Sequence, residues 1–168
     1  TMNYLLYENN KEVKEKVNIS ELIDIIEFTP RLFKLYWRNE SKSLRTTFFR
    51  LYISILTRNK TKIYFALDKE QKIVHTSYTI CKNFKYPFIN KDEIVIGPCN
   101  TEESARGKGI YPFVLNYIVS NTNYKSYYLI IRPENKASIH GAEKAGFVLT
   151  ERKIMGTKYL NRFKEIKK

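Results

Sequence analysis

Two cations and two glycines alternate in Arg106-Gly107-Lys108-Gly109, a pattern suited to holding an anion. Glycine removes the side chain that would keep a phosphate from the backbone, and it tolerates positive φ. Backbone N–H groups at a helix start lack intrahelical partners and can point at an anion. The run stands where these conditions meet. Upstream lies an apolar stretch of strand length, Ile94-Val95-Ile96, closed by Gly97-Pro98; downstream, an apolar pattern of helical period opens at Tyr111. On these residues alone an ordinary strand-to-helix connection with glycines in the turn reads equally well, because short Gly-rich loops recur by chance. Two nucleotide motifs are excluded: no Gly-Lys-Ser/Thr follows at P-loop spacing, and Gly-x-Gly-x-x-Gly is absent.

A second segment narrows the choice. Asn135-Lys136-Ala137-Ser138-Ile139-His140-Gly141-Ala142-Glu143-Lys144-Ala145-Gly146-Phe147 reads as an Asn, a short helix, then Glu-Lys-x-Gly-Phe. Arg106-Gly107-Lys108-Gly109-Ile110 resembles the Arg/Gln-x-x-Gly-x-Gly/Ala acyl-CoA loop of the GCN5-related N-acetyltransferases, and the later run is similar to that family's second signature. The resemblance covers residues 92 to 150. It implies an α/β fold with a mixed, mostly antiparallel, splayed sheet of about seven strands flanked by helices. Its two central strands, here 92–99 and 126–132, would part to admit the pantetheine arm of acetyl-CoA or another acyl-CoA. Carried over, the pyrophosphate would sit on Arg106, Gly107, Lys108, Gly109, Ile110 and Tyr111. The amides of Cys99, Asn100 and Thr101 would pair with pantetheine, and Asn135 would contact the CoA arm. The chain departs from the family twice. The loop's last small residue is Tyr111 here, and the Tyr that many members place before the Glu-Lys pair, as general acid, is Ala142.

Acyl transfer to an amine needs a donor at the thioester carbonyl, a route for the ammonium proton, and help for the leaving thiolate. Glu102 and Glu103 follow the strand that would face the thioester and head the candidates for the base; His75 and Asp92 come next. A solvated loop carboxylate is the plain alternative for the first two, and a satisfied sheet histidine for His75. His140 lies two residues before Ala142, on another helix face, and is a weak substitute for the missing acid. The run Arg106 to Pro112 is also similar to acyltransferases of bacterial surface-polysaccharide pathways. That likeness implies a small-molecule amine acceptor, for example the amino group of a nucleotide-linked amino sugar.

The elements that must position these residues follow from periodicity. Asn3 to Tyr7 suits an opening strand and Asn9 to Lys16 a charged loop. Ser20 can cap a helix with Leu22, Ile23 and Ile26 on one face, ended near Pro30. Leu32, Phe33, Leu35, Tyr36 and Trp37 are too densely apolar for a solvated surface, and Leu44, Phe48, Leu51, Tyr52 and Ile55 recur at helical period. Three helical segments are therefore expected before the main sheet, with Trp37, Phe49 and Tyr52 in the core or, by the resemblance, bordering the acceptor cleft. Lys62 to Leu67 and Lys72 to Cys81 read as a hairpin, followed by a loop and the strand Asp92 to Cys99. Tyr111 to Val119 is a helix that tolerates Pro112 in its first turn, and Ser126 to Arg132 is a strand. Asn135 caps a helix that Gly146 ends, and a strand pair, Phe147 to Met155 and Thr157 to Phe163, turns around Gly156 before a frayed charged tail.

The 168 residues, without repeats or low-complexity linkers, suggest one domain over 1–168. No apolar run approaches the roughly 18 residues of a membrane span, and the first ten residues lack a secretory pattern, so a cytoplasmic protein is expected. Cys81 and Cys99 have no metal-ligand spacing; no metal is expected and both thiols should be reduced. A net charge of +13 favours anionic partners, although a Lys-rich composition would produce it as well. Basic residues are scattered rather than gathered in one aromatic-interleaved stripe, which argues against nucleic acid. A non-catalytic CoA-binding module and a basic nucleic-acid-binding protein are the alternatives to an N-acetyltransferase. Oligomeric state is open, a homodimer included.

Overall fold

The computed structural model describes residues 2–11, 23–38, 40, 42–157 and 162–166. The described strands are β1 (Met2–Asn9), β2 (Asp24–Phe28), β3 (Lys62–Leu67), β4 (Ile73–Cys81), β5 (Glu93–Thr101), β6 (Ser126–Ile131), β7 (Val148–Leu149), β8 (Lys153–Thr157) and β9 (Arg162–Ile166). The helices are α1 (Leu44–Thr57), α2 (Ile110–Asn121) and α3 (Lys136–Lys144). The strands form one open sheet in the order β2-β3-β4-β5-β6-β1-β8-β9, with β7 also on β1. All neighbours are antiparallel except β5 and β6. The sheet thus has nine described strands rather than seven.

The parallel pair carries the functional geometry. Glu93, Ile94 and Val95 lie opposite Ser126, Tyr127 and Tyr128, and there the pairing ends. β5 runs on to Thr101 and β6 to Ile131 without meeting again. On its other edge β5 stays on β4, with one extra residue at Gly97-Pro98: Thr79 faces Ile96 and Ser77 faces Cys99. Such a bulge re-aims the side chains beyond it. Cys99, three positions after Ile96, therefore returns to the cluster that Ile94 and Ile96 enter.

Alternate residues of the strands feed two cores. One packs Ile94, Ile96, Tyr127 and Leu129 under α2 (Val114, Leu115, Ile118) and α3 (Ala142). The other packs Ile63, Phe65, Tyr78, Val95 and Tyr128 under α1 (Ile53) and the loop carrying Tyr86 and Ile89.

Several expectations are corrected. Residues 24–28 form an edge strand on β3, not a helix: Ile23 and Ile25 enter one core and Ile26 and Phe28 the other, the alternation of a strand. Ser20 and Leu22 lie outside the described residues. Residues 31–34 make a turn closed by the Arg31–Lys34 bridge, residues 35–37 follow it outside any helix or strand, and Phe33 is 99 % exposed. Among the described residues only α1 remains of the helices expected before the sheet, and its apolar stripe faces outward: Leu44, Phe48, Tyr52 and Ile55 are exposed, while Arg50, Ile53, Ser54 and Thr57 are buried. Arg50 compensates by bonding Glu40 through both terminal nitrogens, Tyr78 through Nε at 3.0 Å and the Leu35 carbonyl at 2.8 Å. Gly156 sits within β8, paired to Met2, rather than at a turn, and the last strand, β9, runs past Phe163 to Ile166, into the tail expected to fray. Both cysteines are free thiols.

Candidate functional site

The parted strands open onto a cavity of about 600 Å³ bounded by the end of β5, the glycine loop, the start of α2 and one side of α3. Cys99, Asn100 and Thr101 form its strand wall. A short 3₁₀ turn, Glu103–Ala105, leads to Arg106, whose Nε donates to the Thr101 carbonyl at 3.2 Å and folds the guanidinium back along the strand end. Gly107 and Gly109 both adopt left-handed φ, 73° and 75°, a region that favours glycine. Gly109 is the N-cap of α2, and no side chain caps that helix end. Its first-turn amides are therefore available to a ligand. α3 differs: the Asn135 side chain accepts from the Ser138 N–H at 3.2 Å.

Of the residues singled out for cofactor contact, Cys99, Asn100, Thr101, Arg106, Gly107, Gly109, Ile110, Tyr111 and Asn135 line the cavity. Lys108 does not. Sequence reading missed Ala137, Ser138, Gly141 and Lys144 of α3, which also line it. Their signal was present as small residues at positions 137, 138 and 141, where helical spacing puts them on one face. Arg106, His140 and Lys144 border the space and no lining residue is acidic.

The base candidates separate. Glu102 and Glu103 are exposed on the turn and do not line the cavity. Asp92 precedes β5, at the far end of the strand, with its carbonyl on the Lys125 N–H. His75 is 1 % exposed behind the strand wall. Its Nδ1 lies 2.7 Å from Thr101 Oγ1, its Nε2 lies 2.7 Å from Ser77 Oγ, and Ser77 Oγ donates to Cys99 Sγ at 3.1 Å. The donations then run one way. Ser77 gives its proton to Cys99, so its oxygen accepts from Nε2–H, and Nδ1 accepts from Thr101. Burial holds every member neutral at physiological pH: it lowers His75 to about 4 and pushes Cys99 up to about 11 against the opposing Ser77 hydrogen bond. Ala142 is fully buried in the core. Among the described residues no cluster of metal-ligating side chains occurs, and no helix is long and apolar enough to cross a membrane.

No family model matches the chain, and no curated protein matches it either. Solved structures do. A GCN5-related N-acetyltransferase from Sphaerobacter thermophilus aligns over 90 % of this chain and 49 % of its own, with a TM-score of 0.61 and 13 % identity. An acetyltransferase of the GNAT family from Colwellia psychrerythraea aligns over 89 % and 53 %, with a TM-score of 0.56 and 18 % identity. A tandem GNAT protein from the clavulanic acid biosynthesis pathway aligns over 88 % and 50 %, with a TM-score of 0.58 and 12 % identity. The chain spans about half the length of these structures. At these identities the likeness concerns the fold. The splayed β5–β6 pair, the glycine loop and the α2–α3 face give this chain the GCN5-related N-acetyltransferase fold.

Proposed function

We infer that this chain is an acyl-CoA-dependent N-acyltransferase, one domain over residues 1–168, that acylates the primary amine of a small molecule. The observation that carries this reading is the cavity itself. It joins uncapped helix amides, two left-handed glycines and two lining cations, without an acid, to a strand end that has lost its neighbour. Acyl-CoA has matching parts. Its pyrophosphate is an anion for the Gly107–Tyr111 amides, with Arg106 and Lys108 adding charge. Its pantetheine amides suit the unpaired edge at Cys99 to Thr101, and Asn135 meets the arm from α3. When bound, the thioester supplies the acyl group, and a strand-end N–H polarises its carbonyl.

The amine must shed a proton to attack. Glu102 and Glu103 flank the strand end and pass that proton to solvent; His75 is already hydrogen-bonded at both nitrogens and orders the wall through Thr101 and Ser77. The acceptor fitting a chain of net charge +13 is anionic, and a nucleotide-linked amino sugar combines that charge with a primary amine. Use of acetyl-CoA is consistent with a cytoplasmic enzyme.

Titration with acetyl-CoA and desulfo-CoA at two salt concentrations tests the reading, followed by free-thiol release over a panel of amino sugars and polyamines. Micromolar binding that survives salt, with turnover of one amine, is expected. Gly109→Val should abolish binding while the protein stays folded, because a β-branched residue resists the left-handed conformation; undiminished binding would overturn the pyrophosphate placement. The buried Ala142 and the exposed Glu102 and Glu103 favour a second reading, a CoA-binding module without catalysis, which binding without turnover of any amine would establish.

A further inference from the structure

We propose that the outward face of α1, together with the turn at residues 31–34, docks this protein on an anionic lipid surface. α1 packs on the core of the other sheet face, across the sheet from the cavity. A docked molecule would keep that cavity open to water, and the docking stands whether or not acyl-CoA is its ligand.

α1 is turned the wrong way for a helix that serves only its own fold. It buries Arg50, Ser54 and Thr57 beside Ile53 and leaves Leu44, Phe48, Tyr52 and Ile55 outside. Their spacing of four, four and three residues puts these four on one helix face. The neighbouring turn adds Leu32 and Phe33. It is fastened along α1 by three bonds: Ser54 Oγ donates to the Pro30 carbonyl at 3.4 Å, Arg50 Nη1 to the Leu35 carbonyl at 2.8 Å, and the Tyr36 hydroxyl to the Ser43 carbonyl at 2.9 Å. Six of the eleven large apolar side chains exposed among the described residues therefore lie between residues 32 and 55. Single exposed apolar residues are ordinary, whereas a gathered set marks an interaction surface.

The charge around this set has one sign. From Thr29 to Leu67 the sequence holds one acidic residue, Glu40. That carboxylate is buried on Arg50, with Nη1 donating to it at 2.8 Å. Arg31, Lys34, Arg38, Lys42, Arg45 and Arg58 are exposed, and none forms an ion pair among the described residues. Apolar side chains bordered by cations alone fit an anionic occupant. A second copy of this chain meets the opposite condition, because the same cations would face one another. Between an acidic protein and a lipid surface, Phe33 favours the lipid. At 99 % exposure its ring stands clear of its own chain at the tip of a tight turn. A fluid interface closes around such a ring, whereas a folded partner must present a matching hollow. Interfacial helices share this combination: Phe and Leu enter the headgroup boundary, and Lys and Arg meet the anionic lipid.

Co-sedimentation with phosphatidylcholine vesicles, with and without phosphatidylglycerol, tests the docking at low and high salt. The native protein should bind the anionic vesicles at least about tenfold better than the neutral ones, and less well in high salt. The double variant Phe33→Ser/Phe48→Ser should lose about tenfold in affinity, with its urea unfolding unchanged because neither ring is buried. Lys34→Glu/Arg45→Glu should lose at least as much on anionic vesicles. Val148→Ser/Leu149→Ser removes exposed apolar residues from β7 instead and should bind as the native protein does. Undiminished binding by Phe33→Ser/Phe48→Ser overturns the proposal, since the net charge alone would then hold the vesicles. Equal binding to both vesicle types, or to neither, overturns it as well; in the last case an acidic protein becomes the occupant to seek. So does a dimer in sedimentation without lipid that Phe33→Ser/Phe48→Ser dissociates, which would assign the face to a second copy.

Discussion

The two faces of the sheet are held by opposite means. On the α2–α3 face, apolar residues pack inward in the ordinary way, and the special features are local. They are Gly107 and Gly109 at positive φ, Asn135 over the first turn of α3, and Gly141 against a ring. On the α1 face, a helix turns its apolar stripe to solvent and buries an arginine. Arg50 is 1 % exposed, lies over the rings of Tyr36 (4.9 Å), Tyr78 (5.7 Å) and Phe65 (5.9 Å), and pairs with Glu40. Trp37 stacks on Phe65 at 5.7 Å and Phe49 meets Tyr78 edge-on at 5.4 Å, extending the same aromatic shell. One face is organised by backbone conformation, which a few neighbouring residues determine. The other is organised by a charge that must find a partner from a different segment.

The largest effect should come from breaking that charge. Arg50→Ala leaves Glu40 buried without its cation and should cost about 3–5 kcal/mol in chemical denaturation. The double variant with Glu40→Ala should recover part of the loss. A cost below about 1 kcal/mol would mean that the aromatic shell alone holds α1.

The next test lies at the boundary of the cavity. An unfolded His75 takes up its proton near pH 6.5, whereas the buried one does so only near 4. Between these values the unfolded chain binds more protons. The contribution of His75 is complete above pH 6.5 and declines as the pH falls toward 4, by about 3 kcal/mol in total. Urea unfolding over this range, for the native protein and His75→Gln, should show the steeper decline in the native protein; parallel curves would mean the imidazole is solvated.

Smaller effects sharpen the contrast between the faces. Asn135→Ala removes the cap of α3 and should cost about 1 kcal/mol, together with weaker acyl-CoA binding. Phe33→Ser and Phe48→Ser, large apolar losses on the α1 side, should each change stability by no more than about 0.5 kcal/mol, because neither side chain is buried. A loss of several kcal/mol at Phe48 would show that the exposed stripe has a partner in solution.

The same contrast explains what could be read from the sequence. Gly107, Gly109, Asn135 and Gly146 carry their structural meaning in the residue type, since left-handed turns and caps accept few alternatives. The strands around them were accordingly legible, and the parting of β5 from β6 was implied by the family resemblance that these residues carry. α1 was legible as a helix but not in its orientation: counting apolar residues favours the stripe of Leu44, Phe48, Tyr52 and Ile55, and nothing local says that Arg50 will reach Glu40 and Tyr78. β2 was lost because a short apolar run fits both periods, and pairing with β3 decides between them. Ser77 escaped notice as a small polar residue in a strand, and its position between His75 and Cys99 depends on the bulge at Gly97-Pro98.

The place of β1 in the sheet has a consequence for how the fold is made. Its partners are the residues most distant along the chain: Leu5 faces Ile131, Tyr7 faces Leu149 and Met2 faces Gly156. During synthesis β3, β4 and β5 can zip as successive hairpins, while β1, made before them, waits for β6, β7 and β8. Until then its apolar residues and both of its edges stay open to other chains. Non-local pairing of this kind slows folding toward milliseconds or longer, so the interval before β1 is claimed is when a nascent copy is most exposed to aggregation.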